Sequence, residues 1–204
     1  MSNLTLFHNG PSTCSQKVRL ILGLKNLTYE SKIIDLQAGE QHDAEYIKLN
    51  PNHVVPTLIC DEKILVESSL ILEFLEDKFP EKSARSNIPE EIHQMRLWMK
   101  TIDAYHIHGG SITYGIGVRN ILILKPKDEL DKEIDEIPDL EKRENRRDLI
   151  ENGLEAKCVI EGLKQSKILM DKLELGLRDR EWFSGSKFGL ADASIFPYVL
   201  RWEQ

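Results

Sequence analysis

The chain has 204 residues, enough for one large domain or two small ones with a hydrophobic core. Its 27 lysines and arginines against 34 aspartates and glutamates give a formal net charge of −7, which argues against nucleic acid as the main partner. The apolar residues form no run near the roughly 18 that a membrane span requires, so we expect no membrane partner.

Strand and helix patterns alternate over the first 80 residues, and the chain opens on a strand pattern rather than a signal peptide. The predicted strands are Leu4–Phe7, Thr28–Leu36, Thr57–Cys60 and Ile64–Glu67. Residues 15–25 have helical spacing, a short helix follows the polar segment 37–43, and Ser68 and Ser69 cap a helix that ends at Pro80. The order βαβ followed by ββα predicts an α/β domain with a mixed four-stranded sheet and helices packed on it.

Residues 81–89 have the composition of a linker, and no convincing strand pattern follows them. Long helices are predicted over residues 90–108 and 149–177, with glycines interrupting the region after residue 108. A last helix begins near Leu190, and Asp192 stands where its carboxylate can cap the helix start. We therefore expect an α/β domain over residues 1–80, a linker over 81–89 and an all-helical domain over 90–204.

The stretch from Pro11 to Arg19 places hydroxyl and thiol groups where the first strand turns into the first helix. A helix start offers unpaired N–H groups and the positive end of the helix dipole, which stabilise a thiolate. That thiolate can belong to Cys14 or to a bound thiol ligand. The alternative is an ordinary serine or threonine cap beside a bystander cysteine.

Val55 and Pro56 precede the predicted hairpin, and the proline is either an ordinary trans residue of a strand edge or a cis residue. A cis bond would turn the main chain of Val55 outward, where its N–H and C=O can pair with an extended peptide ligand.

Glu67 and Ser68 stand where the second hairpin strand meets its helix. They form either a strand end and a cap, or a clamp for an amino acid. In the clamp, Glu67 pairs with an ammonium group, while the Ser68 hydroxyl and the N–H groups of the helix start hold a carboxylate.

These motifs together resemble the soluble glutathione transferase family over nearly the whole chain. The motifs are the Ser12–Arg19 stretch, Asn50-Pro51 followed by Val55-Pro56-Thr57, Glu67-Ser68, and Trp182–Gly185 leading into Leu190-Ala191-Asp192. The resemblance implies a thioredoxin-like first domain that binds glutathione, an all-helical second domain and usually a homodimer.

The same resemblance implies a role for each matching residue. The main chain of Val55, fixed by Pro56, binds the cysteinyl part of glutathione. Glu67 and Ser68 bind its γ-glutamyl end. Gln41 matches a position that often contacts the glycine end, and His53 lies nearby.

The residue that activates the glutathione sulfur stays open among three candidates. Zeta-like relatives point to Ser12, beta-like bacterial relatives to Cys14, and theta-like relatives to Ser15. A serine hydroxyl would donate a hydrogen bond that favours the thiolate, whereas a cysteine would form a mixed disulfide and favour thiol exchange. We favour Ser12.

Two features depart from the family pattern. Gly189 stands where relatives have serine or threonine, so the capping side chain of the last helix is missing. The sequence also stops at Gln204, where relatives continue with at least one more helix. We therefore expect a short member or a truncated chain.

The first functional hypothesis is a transferase that joins glutathione, its co-substrate, to small hydrophobic electrophiles. The second is a glutathione-dependent isomerase of maleylacetoacetate-like dienes, although Arg119 is the single basic residue that suggests a dicarboxylate pocket. The third is a non-catalytic binding module, suggested by the charged segment 126–147. Cys14, Cys60 and Cys158 match no metal spacing and suit a reducing compartment, so we expect a cytoplasmic protein without a metal site.

Overall fold

The structure is a computed structural model that describes residues 3–137 and 139–203, so Gln204 lies outside the described residues. Within these ranges the chain forms four β-strands and nine α-helices. The strands are β1 (Leu4–His8), β2 (Glu30–Ile33), β3 (Thr57–Cys60) and β4 (Lys63–Leu65). The helices are α1 (Thr13–Leu24), α2 (Ala44–Leu49), α3 (Ser68–Lys78), α4 (Pro89–Thr113), α5 (Arg119–Leu122), α6 (Lys127–Asp135), α7 (Leu140–Asn152), α8 (Lys157–Gly176) and α9 (Leu190–Trp202).

The four strands form one mixed sheet in the order β2-β1-β3-β4. Strand β1 runs parallel to β2, with Phe7 opposite Lys32, and antiparallel to β3, with Phe7 opposite Thr57. Strands β3 and β4 form an antiparallel hairpin in which Leu58 is opposite Leu65. A parallel pair joined through a helix, next to a hairpin, is the arrangement that the βαβ and ββα patterns predict, and the fold class is confirmed.

Helices α1, α3 and α9 share a core, since α1 packs against both α3 and α9. The apolar residues of α1 and α3 recur at helical spacing, which gives each helix one buried face. The buried residues of these two faces are Val18, Ile21, Leu22, Ile71, Leu72 and Leu75. Each contributes about 1.5–3 kcal/mol, so the six together contribute on the order of 10 kcal/mol before the entropy of ordering the chain is subtracted.

The opposite face of the sheet carries a smaller cluster around Tyr46 of α2. Successive side chains of a strand point to opposite faces, so Phe7 lies on the face away from the buried Leu6. Phe7 packs against the cluster of Ile34, Tyr46 and Val55, with the ring centroids of Phe7 and Tyr46 5.9 Å apart. This cluster joins α2 to the segment before β3.

The chain divides into two compact units that do not follow the predicted domains. One unit combines residues 1–102 with 179–204, and the other is residues 103–178. The first unit therefore includes α9 and the first half of α4, because α9 packs on α1. The division into domains 1–80 and 90–204 stays a prediction.

The start of α3 differs from the predicted cap. Glu67, rather than Ser68 or Ser69, occupies the N-cap position, and its side chain makes no capping hydrogen bond. The interpretation of Ser68 as an N-cap is therefore wrong, since Ser68 is already the first helical residue.

The helical part is more divided than the sequence pattern predicts. Helix α4 continues through Gly109 and Gly110, and a π-helical turn at Tyr114–Val118 follows it. The helix predicted over residues 149–177 is the end of α7 followed by α8, because the chain turns at Gly153 with a φ of +58°. The charged segment 126–147 contains α6 and the first half of α7. Among the described residues, no helix is both long and apolar enough to cross a membrane.

Candidate functional site

The strand directions bring four connecting segments to one edge of the sheet. Strands β1 and β2 are parallel and end side by side, with His8 opposite Ile33. Strand β3 is antiparallel to β1 and so begins at this edge, and β4 ends there, as Leu65 opposite Leu58 shows. The segments 9–12, 34–43, 50–56 and 66–68 therefore converge. They carry or directly precede all nine predicted site residues, which are Ser12, Cys14, Ser15, Gln41, His53, Val55, Pro56, Glu67 and Ser68.

Ser12 is the N-cap of α1. Its main chain is extended, with φ −61° and ψ 119°, and its hydroxyl oxygen accepts a hydrogen bond from the Ser15 N–H at 3.2 Å. A hydroxyl has two acceptor lone pairs and one donor proton, so a capping serine keeps its proton for another acceptor. The Ser12 side chain is partly exposed. It can therefore cap the helix and donate to a ligand atom at the same time.

Cys14 and Ser15 lie in the first turn of the same helix and differ in exposure. The Cys14 side chain is partly exposed and its thiol is in no disulfide. Ser15 is fully buried, and its hydroxyl oxygen accepts a hydrogen bond from the Asn9 N–H at 3.3 Å. The Ser15 side chain thus points into the protein and ties the helix start to the end of β1.

Arg19 holds the segment that leads into Ser12. Its Nη1 donates to the Asn9 carbonyl at 3.0 Å, and its Nη2 donates to the Gly10 carbonyl at 2.8 Å. Arg201 of α9 donates to the Pro11 carbonyl. These bonds satisfy three successive carbonyl groups and thereby fix the approach of the chain to the helix start.

His8 completes this network from the end of β1. Arg19 donates from Nη1 to His8 Nδ1 at 3.0 Å, and His8 Nε2 lies 2.8 Å from the Ser31 hydroxyl. Burial, and then the charge of Arg19, lower the pKa of His8 below its ordinary value of 6.5. A neutral His8 accepts at Nδ1 and donates from Nε2, so the bonds specify its tautomer.

The main chain at Val55, which we call the ledge, carries two unpaired polar groups, and the residue as a whole is 8% exposed. The Val55-Pro56 peptide bond is cis. The carbonyl of the preceding Val54 accepts from the Tyr46 hydroxyl at 2.7 Å and from Asn50 Nδ2 at 2.8 Å. Across residues 3–137 and 139–203, the N–H and C=O of Val55 have no hydrogen-bond partner. An extended ligand can therefore pair with both groups, as an added strand does.

Glu67 and Ser68 lie at the start of α3. Glu67 has a φ of +65°, which is uncommon for a residue with a side chain, and it is exposed. Such conformations persist where the surrounding structure enforces them and are frequent at functional sites. Ser68 is 8% exposed and opens the helix, whose first N–H groups have no partner within the helix. A carboxylate can bind at this end.

Gln41 and two histidines lie in the segments at the other end of the ledge. His42 and His53 face each other with their Nδ1 atoms 3.0 Å apart, so one ring donates to the other. His53 has a φ of +57°. The Gln41 Oε1 atom is buried without a hydrogen-bond partner in the part of the chain that the structure describes.

Comparisons with known proteins agree with the fold. The family model described as glutathione S-transferase, N-terminal domain, matches residues 11–78. Protein LigF of Sphingobium sp. (strain NBRC 103272 / SYK-6) is 29% identical over 196 residues, which are 95% of this chain and 76% of LigF. The crystal structure of beta-etherase LigF from Sphingobium sp. strain SYK-6 has a TM-score of 0.88 at 28% identity, and the match covers 99% of this chain and 84% of that one. Residues 11–78 thus match a glutathione S-transferase N-terminal domain, and the chain is similar to proteins of this family over nearly its whole length.

Two further relatives bear on the reaction. Glutathione S-transferase GstB of Escherichia coli (strain K12) is 27% identical over 202 residues, 96% of this chain and 81% of GstB. A probable maleylacetoacetate isomerase of Vibrio cholerae is 39% identical, but over 82 residues, 39% of this chain and 38% of that protein. The chain is therefore an enzyme of the glutathione S-transferase type. The hypothesis of a non-catalytic module is set aside.

Sequence reasoning missed residues that support the candidate site. Tyr46 and Asn50 both hydrogen-bond the Thr57 hydroxyl, at 3.0 and 3.1 Å, in addition to the Val54 carbonyl. Burial, partly offset by the hydrogen bonds, raises the pKa of Tyr46. The sequence did contain one indication of the role of Asn50, because this residue directly precedes Pro51. The pairing of Arg19 with His8 had no local signal.

Arg119, which suggested a dicarboxylate pocket, has a structural role in the helical unit. Its Nε donates to the Ile150 carbonyl at 3.0 Å, and its guanidinium lies over Gly153, where an added Cβ would be 3.3 Å away. Arg119 therefore stabilises the turn between α7 and α8. This weakens the hypothesis of an isomerase pocket in which Arg119 binds a dicarboxylate.

Proposed function

We propose that the enzyme binds reduced glutathione along the ledge at Val55, stabilises its thiolate at the start of α1, and directs it at an electrophilic carbon. The observation that carries this proposal is the convergence of three features at one sheet edge. They are the N-terminus of α1 with Ser12, the unpaired N–H and C=O of Val55, and the N-terminus of α3 with Glu67. Helix N-termini favour negative charge, and glutathione carries negative charge at its carboxylates and, once its thiol is ionised, at its sulfur.

Each part of the tripeptide has a matching group in this proposal. The Val55 main chain, oriented by the buried Pro56, pairs with the cysteinyl main chain. Glu67 accepts from the γ-glutamyl ammonium, and the first N–H groups of α3 with the Ser68 hydroxyl bind the neighbouring carboxylate. Gln41 and His53 bind the glycine end, where the buried Gln41 carbonyl oxygen gains a donor from the ligand.

Ser12 is the proposed activating residue. Its hydroxyl proton is available although its oxygen caps the helix, and its side chain is partly exposed. The burial of Ser15 makes that hydroxyl a poor donor to a ligand. Cys14 remains the alternative, and a disulfide with glutathione would then replace a hydrogen bond.

The size of the effect follows from the ionisation of the thiol. A free thiol with a pKa near 8.5 is only a few per cent ionised at pH 7. Lowering that pKa by about two units makes most of it thiolate, which raises the reactive fraction by a few tens of fold. Holding the electrophile next to the sulfur adds a further acceleration.

Substitutions in the first turn of α1 test this assignment. Ser12→Gly removes the hydroxyl but keeps a residue that caps helices almost as well, so the fold is retained. We expect conjugation of 1-chloro-2,4-dinitrobenzene to fall by about 10- to 100-fold in kcat/KM, because the donor to the thiolate is lost. The ultraviolet absorbance of bound thiolate should titrate at higher pH. Thr13→Ala, in the same turn, is the control and should retain activity.

The alternatives give different outcomes in the same assays. Unchanged activity in Ser12→Gly together with loss in Cys14→Ala moves the role to Cys14. If both variants stay active while glutathione still binds, neither residue activates the sulfur. If calorimetry detects no glutathione binding at millimolar concentration, the proposed binding site itself is wrong.

A second candidate reaction is the cleavage of an ether, favoured by the likeness to beta-etherase LigF over 99% of this chain. In this reaction the thiolate forms a carbon–sulfur bond while the carbon–oxygen bond breaks, and the oxygen leaves with the electron pair and takes up a proton. A nitrophenyl ether next to a carbonyl group tests it through the colour of the released nitrophenolate. One glutathione is consumed per nitrophenolate in ether cleavage, whereas an isomerase returns glutathione unchanged.

Two further features belong to the proposal. We propose a homodimer, which sedimentation equilibrium of the full chain tests. We also propose a reducing, cytoplasmic setting, which suits Cys14, Cys60 and Cys158 because none of them forms a disulfide within residues 3–137 and 139–203. No metal takes part in the proposed reaction, and metal analysis of the active protein tests that statement.

A further inference from the structure

A groove lies beside α2, on the face of the sheet that carries the Tyr46 cluster. Helix α2 has six residues and is about 9 Å long, so it covers only part of that face. The groove has a volume of about 550 Å³ and lies within the first compact unit. Its apolar side is lined by Phe7, Ile34, Tyr46 and Leu49. Small-molecule sites have volumes of about 300–1,000 Å³ and mainly apolar walls with a few polar groups, so the groove has a suitable size.

The apolar side of the groove is preformed. Ile34 and Tyr46 are buried, and the Tyr46 hydroxyl donates to the Val54 carbonyl at 2.7 Å, which fixes the orientation of its ring. The Phe7 ring is tilted by 50° to the Tyr46 ring, with the two centroids 5.9 Å apart, and Phe7 is partly exposed. The faces of aromatic rings attract cations, so this side of the groove suits an apolar ligand that carries positive charge.

The polar side of the groove is negatively charged. Glu40, Asp43 and Glu45 line it, and Lys48 is the one basic residue among the described residues that line it. The Lys48 ammonium is already paired with the Glu45 carboxylate. The carboxylates of Glu40 and Asp43 are therefore not neutralised by any side chain of the groove lining in the described part of the chain.

The Asp43 carboxylate is available to a ligand. Asp43 is the N-cap of α2, where an aspartate commonly accepts from the first N–H groups of the helix. Its side chain makes no capping hydrogen bond and, within residues 3–137 and 139–203, has no other partner. Glu40 is held in place from one side, since its Oε2 accepts from the Asp35 N–H at 2.6 Å, which leaves Oε1 for a ligand. A bound cation would supply the partner that both carboxylates lack.

We propose that this groove binds a small aromatic ammonium ion. The ammonium group donates to the carboxylates of Asp43 and Glu40, and the aromatic body lies against Phe7 and Leu49. This site goes beyond the proposed function, since it uses none of the nine residues of the glutathione site. It also selects the opposite charge, because glutathione is an acid and the groove carboxylates repel it.

The probe is 2-naphthylmethylammonium, and 2-naphthylmethanol is the neutral ligand of matched shape. In ¹H–¹⁵N spectra of the full chain, the amide signals of Ile34, Tyr46 and Leu49 should shift with a dissociation constant between about 0.1 and 1 mM. The alcohol should bind at least about fivefold more weakly, since it has no charge for the carboxylates. Raising the salt concentration from about 0.05 to 0.5 M should weaken binding of the ammonium ion and not of the alcohol, because salt screens exposed charges.

Asp43→Asn is the decisive variant because it removes the charge and keeps a residue that suits the N-cap. We expect it to stay folded and to bind the ammonium ion at least about fivefold more weakly, with unchanged affinity for the alcohol. Glu62→Gln is the matched control, since Glu62 is exposed in the turn between β3 and β4 and its loss changes the net charge equally. Its affinity should equal that of the wild type. Folded Phe7→Leu should bind the ammonium ion about two- to fivefold more weakly, because an aromatic face is lost.

Several outcomes would overturn the proposal. Equal affinity for the ammonium ion and the alcohol would remove the role of the carboxylates. Unchanged binding in Asp43→Asn would place the ion elsewhere, and its displacement by saturating reduced glutathione would place it in the glutathione site. Self-association of the chain that Asp43→Asn abolishes would identify the groove as an interface between two copies instead. The titration without glutathione gives its answer whether or not glutathione binds at Val55, so failure of one proposal is distinguishable from failure of the other.

Discussion

The hydroxyl of Ser12 stabilises the fold and, in the proposed function, also takes part in binding. Its oxygen closes the first turn of α1, a contribution of about 1 kcal/mol, while its proton remains for a ligand. Ser15, three residues later, has the same side chain, but it is buried and its hydroxyl oxygen accepts a hydrogen bond from the Asn9 N–H. The sequence alone leaves these two serines and Cys14 open because spacing does not reveal which of them faces out.

The contribution of His8 to the free energy of unfolding should depend on pH. Burial and Arg19 lower its pKa in the folded protein, so between that pKa and 6.5 the unfolded chain binds more protons. The stability that neutral His8 contributes is complete above about pH 7 and is lost as the pH falls through its folded pKa. We expect His8→Asn to show a smaller loss in the free energy of unfolding between pH 8 and pH 5 than the wild type, measured by urea denaturation.

An exposed histidine provides the control for that experiment. His93 lies on the surface of α4, and His93→Asn should retain the wild-type pH dependence. The carboxylates titrate alike in all three proteins, so they cancel in the comparison. A His8→Asn protein whose stability falls with pH as steeply as that of the wild type would contradict the assignment.

At the scale of elements, the start of α9 compensates for a missing cap. The Asp192 carboxylate accepts from the N–H groups of Phe183, Ser184 and Gly189 at 2.8–3.1 Å, as the capping prediction implies. Gly189 has no side chain with which to cap, and the Ser184 hydroxyl accepts from the Ala191 N–H at 2.9 Å instead. The hydroxyl that accepts from the first helical N–H groups therefore comes from the preceding turn rather than from the N-cap residue.

Restoring the residue type that relatives have at this position should destabilise this chain. A Cβ at Gly189 would clash with the Ala84 carbonyl oxygen and would lie 2.7 Å from the Ser184 Cβ. We expect Gly189→Ser to lower the free energy of unfolding by about 1–3 kcal/mol, because the chain must shift to admit the side chain. Gly110→Ser, in open space, should not lower it. A Gly189→Ser protein as stable as the wild type would show that Ser184 and Ala84 can move aside at little cost in free energy.

The sequence predicted the elements best where one short stretch contains the signal. The Ser-Thr-Cys stretch marks the start of α1, and the short gap between the predicted strands Thr57–Cys60 and Ile64–Glu67 marks the hairpin. Both are confirmed within a few residues. The prediction failed where a contact between residues far apart in the sequence determines the local structure. Gly153 turns the chain between α7 and α8 beneath Arg119, 34 positions earlier, and the spacing of apolar residues does not report this.

At the scale of the whole molecule, the order of the chain and the order of its packing differ. The apolar spacing of α9 marks it as one more helix of the C-terminal half, yet α9 packs on α1. Tyr198 of α9 lies under the fully buried Lys17 of α1, whose ammonium nitrogen is 5.5 Å from the ring centroid. The last 26 residues of the chain are therefore part of the unit that holds the proposed glutathione site.

Removal of the last helix should thus unfold the sheet rather than the helical unit. The fragment 1–178 loses the buried Leu190, Ile195 and Tyr198, each worth about 1.5–3 kcal/mol, and exposes the α1 face that they cover. Because a typical domain is stable by only about 5–15 kcal/mol, we expect this fragment to lack a cooperative urea transition and to bind no glutathione. Phe196→Ala in the full chain, also in α9 but half exposed, should retain both. A fragment 1–178 or 1–80 that unfolds cooperatively would instead support an independent N-terminal domain.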